Sequence, residues 1–110
     1  MLIPRFNLWV ENEGEVVISC WRACLLRAID ETGSITAAAA ELEVPYRRAW
    51  ERIQDMERCL GAPLVTTEIG GSQGGGSRLT PEGRVLLSRF DKFAQGFDEE
   101  VQTRFRESFE

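Results

Sequence analysis

Residues 32–58 read TGSITAAAAELEVPYRRAWERIQDMER, and this stretch decides the fold. It divides into two short amphipathic helices with too little chain between them for anything but a tight turn. The Ser34 hydroxyl can cap free backbone amides at a helix start, and the run from there to about Leu42 contains four successive alanines. Alanine combines strong helix propensity with little bulk, so a second helix can pack close across it. Glu43-Val44-Pro45 interrupts the pattern, because a proline pushes the residue before it out of the helical region. A second helix is expected from Pro45 to about Leu60, with Trp50, Ile53, Met56 and Leu60 on one face. Its other face carries Arg47, Arg48, Glu51, Arg52 and Asp55. One face packs, with Trp50 wedged between helices of the core, and the other offers guanidinium groups one turn apart. That is the layout of a helix lying in the major groove of DNA.

The flanking sequence supplies the rest of a winged helix-turn-helix. Apolar runs on either side of Asn12-Glu13-Gly14 predict a β-hairpin over about 6–19, with strands Phe6–Glu11 and Glu15–Ser19. Trp21 to Glu31 reads as a helix burying Trp21, Cys24, Leu25, Ala28 and Ile29, ended by Gly33 as a left-handed cap. After Gly61-Ala62-Pro63, two strands, Leu64–Ile69 and Ser77–Thr80, flank a glycine-rich tip and form a wing over about 64–80. Thr80 and Pro81 then suit the cap and first turn of a last helix, expected to run from 81 to near 105. Along it, Leu86, Phe90, Phe93, Phe97 and Val101 form a stripe too long for so small a domain to cover. A second copy of the helix is the simplest partner for it. Gly96, inside that run, marks a bend or a close crossing. The fold class is therefore mainly α with small β-hairpins: one winged helix-turn-helix domain over 1–110, with a long C-terminal dimerisation helix.

Composition narrows the function. The chain has 110 residues, room for one domain, with 43% hydrophobic and 28% charged side chains, ordinary for a globular protein. No window approaches a membrane span and the N-terminus carries no signal pattern, so a cytoplasmic protein with no membrane partner is expected. Histidine is absent, and Cys20, Cys24 and Cys59 match no paired-cysteine metal spacing. No catalytic residue, metal site or cofactor is expected on this chain. The cysteines read as small buried hydrophobes more readily than as a redox switch. The net charge of −5 argues against a generic nucleic-acid binder, but its distribution does not. Residues 1–43 and 82–110 are net acidic, whereas 44–81 hold five basic against four acidic side chains. Acidic flanks suppress non-specific attachment while leaving the positive charge where a duplex would lie.

From Leu25 to Leu87 the sequence resembles the DNA-binding domain of ModE-type, molybdate-responsive transcriptional regulators. The matching pieces are LLRAIDETGSITAAA, YRRAWERI, LGAPLV and SRLTPEGRVLL, with LWVENEGEVVI before them. GSITAAA and RLTPEGRVLL are more distantly similar to LysR-type regulators. The resemblance implies sequence-specific binding of double-stranded DNA, an inverted-repeat operator and a homodimer. Two departures matter. Pro45 stands where the family usually has a small hydroxyl residue, so the second helix loses its side-chain cap. ModE-type proteins also carry C-terminal molybdate-binding domains, and nothing before Glu110 resembles one, so molybdate sensing is not expected of this polypeptide.

The residues expected to face DNA are Ser34 and Thr36 at the start of the first helix of the pair, then Tyr46, Arg47, Arg48, Glu51 and Arg52 on the second. Ser72, Gln73, Ser77 and Arg78 complete the set on the wing, where glycines let main-chain amides approach phosphates. The glycine tip does not fit a nucleotide-binding loop, since no Lys-Ser/Thr follows it. A solvated face would explain the arginines as ion-pair partners, Arg47 with Glu51 and Arg48 with Asp55. Two other functions fit the same chain: a winged module whose phenylalanine stripe docks another protein, and the DNA-binding half of a regulator whose sensor is a separate chain.

Overall fold

The computed structural model describes residues 1–68 and 76–110. The N-terminal hairpin pairs β1 (Trp9–Asn12) with β2 (Glu15–Ser19) antiparallel, with a bulge between Val10 and Glu11. The first strand thus begins at Trp9 rather than Phe6. Of the two strands only β2 has buried residues, Val17 and Ile18, and this pairing holds β1 in place.

Helix α1 (Cys20–Thr32) starts where Ser19 accepts a hydrogen bond from the Arg22 amide. It ends at Gly33, whose φ of 72° is a conformation glycine adopts without a Cβ penalty. Its buried side is Ala23, Leu25, Leu26, Ala28 and Ile29. Cys24, expected inside, is exposed, because α1 turns Ala23 and Leu26 inward in its place.

Helix α2 (Ile35–Glu41) is capped by Ser34, which accepts from the Ala37 amide, and buries Ile35, Ala38 and Ala39. It closes with paired bonds from the Glu43 amide to the Ala40 carbonyl and from the Val44 amide to the Ala39 carbonyl. Glu43 takes a φ of 57° to make that turn, a left-handed conformation that costs roughly 1–2 kcal/mol for a residue with a Cβ. The turn between the two helices is therefore set at Glu43, two residues before the proline.

Helix α3 (Tyr46–Leu60) follows, packed on α2 and on β2. Strands β3 (Val65–Glu68) and β4 (Gly76–Leu79) pair antiparallel as the base of the wing, with Val65 opposite Leu79 and Glu68 opposite Gly76. The expected extension of β3 to Ile69 lies outside the described residues. Thr80 caps α4 (Pro81–Ala94), accepting from the Gly83 amide, with Pro81 in the first turn.

The C-terminal helical segment continues to Phe109 but is not one rod. Gly96, at φ 88°, separates α4 from α5 (Phe97–Phe109). Alpha-helical hydrogen bonding cannot pass through that conformation, so the bend anticipated at Gly96 becomes a full break. No residue of α5 is buried, and the molecule measures 57 × 32 × 22 Å. Its radius of gyration of 16.1 Å exceeds the roughly 13 Å expected of a compact chain this long. The core, centred on Ile18, Leu25, Leu26, Ile29, Ile53, Met56 and Leu64, lies in the N-terminal body, and α5 extends away from it.

Candidate nucleic-acid interface

The burial of Ala49, Ile53 and Met56 fixes how α3 is turned. At 3.6 residues per turn, the opposite side presents Arg47, Glu51, Gln54 and Arg58, flanked by Arg48 and Trp50. This corrects the expected packing face at one position. Trp50 is 46% exposed, and Ala49 occupies the core position in its place. Ala49 is fully buried on the side of α3 that packs on the body, and α2, against which α3 packs, buries small side chains of its own in Ala38 and Ala39.

The arginines divide into two kinds. Arg47 is 88% exposed and forms the expected pair with Glu51, Nε to Oε1 at 3.0 Å. Arg48 is exposed, and no ion pair holds it among the described residues. The expected Arg48–Asp55 pair does not form. Asp55 instead takes Arg52 at 3.1 Å and Arg58 at 3.2 Å. Arg52 is turned toward the flank beside Arg22, whose pKa burial lowers, opposed by the charge of Asp55. Arg52 is therefore held against the body, and Arg58, though exposed, is tied to Asp55 and, at 3.9 Å, to Glu15 of β2, while Arg47 and Arg48 face water. Exposed ion pairs of this kind contribute little to stability, so Arg47 is free to exchange its partner for a phosphate.

Tyr46 is exposed at the N-terminal end of α3. Pro45 gives no side-chain cap there, as its chemistry required. The Tyr46 and Arg47 amides, the first two of α3, thus have no side-chain cap at the positive end of the helix dipole, while the Arg48 amide donates to the Pro45 carbonyl at 3.0 Å.

On α2, Thr36 is exposed, whereas Ser34 is half-buried with its oxygen engaged at 3.0 Å by the Ala37 amide. The wing departs further from expectation. Ser77 is 8% exposed: its amide donates to the Gly33 carbonyl at 2.8 Å and its hydroxyl lies 3.3 Å from that of Thr67. Strand alternation puts Ser77 inward and Arg78 outward, so Ser77 fastens the wing to the end of α1 and is not on the surface. Arg78 is exposed and paired with Glu68 at 3.0 Å. Ser72 and Gln73 lie outside the described residues.

Glu57, not anticipated from the sequence, links α3 to the wing. Its carboxylate accepts from the Leu64 amide at 2.8 Å and the Val65 amide at 3.3 Å. Gln54, Arg58 and Trp50 were also missed as surface groups. The available signal was the 49, 53, 56 spacing, which keeps a helical stripe more closely than 50, 53, 56.

The phenylalanine stripe is likewise divided. Phe90 is 5% exposed and belongs to the core, because α4 turns it against α1 and the hairpin. Leu86 and Val101 are half-buried, while Phe93 is 52% and Phe97 40% exposed, their rings edge to face at 5.9 Å. An apolar groove beside Phe93 is lined by Val10, Leu60 and Leu86.

Among the described residues no cluster of three His, Cys, Asp or Glu side chains is placed to hold a metal, and no helix is long and apolar enough to cross a membrane. The three cysteines are free. Loss of surrounding water, then the Glu15 carboxylate beside it, raises the pKa of the Cys59 thiol, the wrong direction for a reactive thiolate.

Residues 23–84, from α1 into the first turn of α4, match the family described as bacterial regulatory helix-turn-helix protein, lysR family. The chain is 45% identical over 75 residues to the molybdenum-pterin-binding protein MopB of Rhodobacter capsulatus, an alignment covering 68% of this chain and 28% of MopB. It is 40% identical over 92 residues to the molybdenum transport protein ModE of Azotobacter vinelandii, covering 82% of this chain and 34% of ModE. The chain thus spans about a third of the length of these curated relatives. A solved structure, the BenM_DBD/catB site 1 DNA complex, is similar with a TM-score of 0.64 and 26% identity, over 82% of this chain and 94% of that one. With the family match running from α1 through the helix pair and the wing, over more than half of its length, this chain belongs to the bacterial regulatory helix-turn-helix proteins of the LysR family.

Proposed function

We propose that this chain binds double-stranded DNA sequence-specifically as part of a transcriptional regulator, with α3 in the major groove and the wing beside it. The observation that carries the reading is the outward face of α3, where Arg47 and Arg48 stand exposed beside a helix start with no side-chain cap and Arg58 stands exposed in the last turn. Arginine pairs bidentately with guanine edges and with phosphates, and open amides at a helix start suit a phosphate. The names of the relatives support it, among them the DNA-binding transcriptional dual regulator ModE of Escherichia coli, as does the similarity to a domain solved on DNA. The reading assigns the chain no catalytic step, no cofactor and a place in the cytoplasm, where its DNA would be. Two copies, joined through the surface around Phe93 and Phe97, would read an inverted repeat.

Two substitutions test it by gel shift or fluorescence anisotropy on genomic fragments. Arg48→Ala should cost about 1–3 kcal/mol on the specific site. Its melting temperature should stay near that of the wild type, because Arg48 is exposed. Undiminished affinity would remove α3 from the interface. Arg78→Ala should weaken binding uniformly across sequences and reduce the salt slope by about one, as loss of one phosphate contact does. An unchanged slope would make the Arg78–Glu68 pair the whole role of that side chain.

A further inference from the structure

Trp50 is a large apolar side chain that α3 leaves in water while its small neighbour Ala49 is fully buried. Its position on the helix gives that exposure a direction. Trp50 lies seven residues before Glu57, which is two turns and only about 20° around the helix surface. Glu57 holds the first amides of β3, so Trp50 is on the flank of α3 that faces the wing, toward the helix start. Tyr46, one turn earlier, is also exposed, and Arg47 and Gln54 stand beside the indole on the outward face. An indole offers a flat apolar surface and a single N–H donor, with no acceptor. The major groove offers one apolar group, the C5-methyl of thymine, among edges that otherwise present donors and acceptors.

We propose that Trp50 is a specificity-determining residue that packs its indole ring on a thymine C5-methyl group in each half-site. The inference rests on the reading of α3 as the DNA-contacting helix, and it adds a base preference that the arginines do not supply.

The test uses the 110-residue chain and a randomised duplex pool, from which bound sequences are selected and resynthesised. The selected site should hold an invariant T·A pair in each half. Replacing that thymine with deoxyuridine removes the methyl group alone, and should weaken the wild type about fourfold, the worth of burying one such group. Trp50→Ala should bind the intact site about tenfold more weakly and be indifferent to the uracil. The uracil measurement on the wild type needs no variant, so it stands even if Trp50→Ala folds poorly. A wild type that tolerates uracil at every thymine of its site overturns the proposal, and so does a Trp50→Ala protein with the same uracil penalty. Both results leave DNA binding intact. Selection of no site at all overturns the DNA-binding reading, and this proposal with it.

Discussion

Replacing Gly83 with alanine is expected to lower the melting temperature by roughly 8–16 °C, although alanine is the better helix former. Gly83 lies in the first turn of α4, where its amide donates to the Thr80 hydroxyl. A Cβ there would overlap the Leu64 carbonyl oxygen and sit 3.2 Å from the carbonyl carbon. That carbonyl has no room to retreat. It accepts from the Thr80 amide at 2.9 Å, and the Thr80 hydroxyl is bonded at 2.7 Å to the adjacent Pro63 carbonyl. Overpacking against backbone costs about 3 kcal/mol, against about 1 kcal/mol recovered by putting alanine for glycine in a helix. The clash wins. Thermal melting followed by circular dichroism measures it, and a midpoint within about 3 °C of the wild type would mean that α4 and β3 are not locked together.

Changing Phe93 and Phe97 together to serine is expected to yield a folded monomer with about 100-fold weaker binding to a two-half-site operator. Both rings are about half exposed, so covering them at a two-fold interface would contribute roughly 1.5–3 kcal/mol per copy. Phe90 must be left in place. It is buried, and its loss would damage the fold rather than the assembly. Light scattering gives the mass and circular dichroism the helix content. A monomeric mass for the wild type at micromolar concentration would eliminate this surface as a dimer contact.

The elements were legible where their causes are local. Ser34 and Thr80 act as caps, and Gly33 ends α1 in a left-handed conformation, because each of these devices involves only residues within a turn or two. The wing was legible from its strands and glycine tip, and the helix pair from its alanines and Pro45. Candidate contacts were legible less evenly. Arg47, Arg48 and Arg78 are at the surface as expected, but Ser77 is inside, since strand alternation and the Gly33 carbonyl decide its direction. Glu57 escaped notice because its partners, the amides of Leu64 and Val65, lie beyond the end of its own helix.

The sequence by itself determined the kinds and order of the elements as far as the start of α4, the ends of α1, α2 and α3 and the concentration of arginine on one helix, all consequences of short-range chemistry and hydrophobic period. Tertiary structure alone decided which members of an apolar stripe are covered. Ala49 is buried and Trp50 is not, and Phe90 is buried while Phe93 is not. Phe90 and Phe93 fit the helical period almost equally well, and on α3 the closer fit of Ala49 is set against the much larger apolar surface of Trp50. The choice between them is made by how near the facing element comes, and by how much side-chain volume that gap accepts.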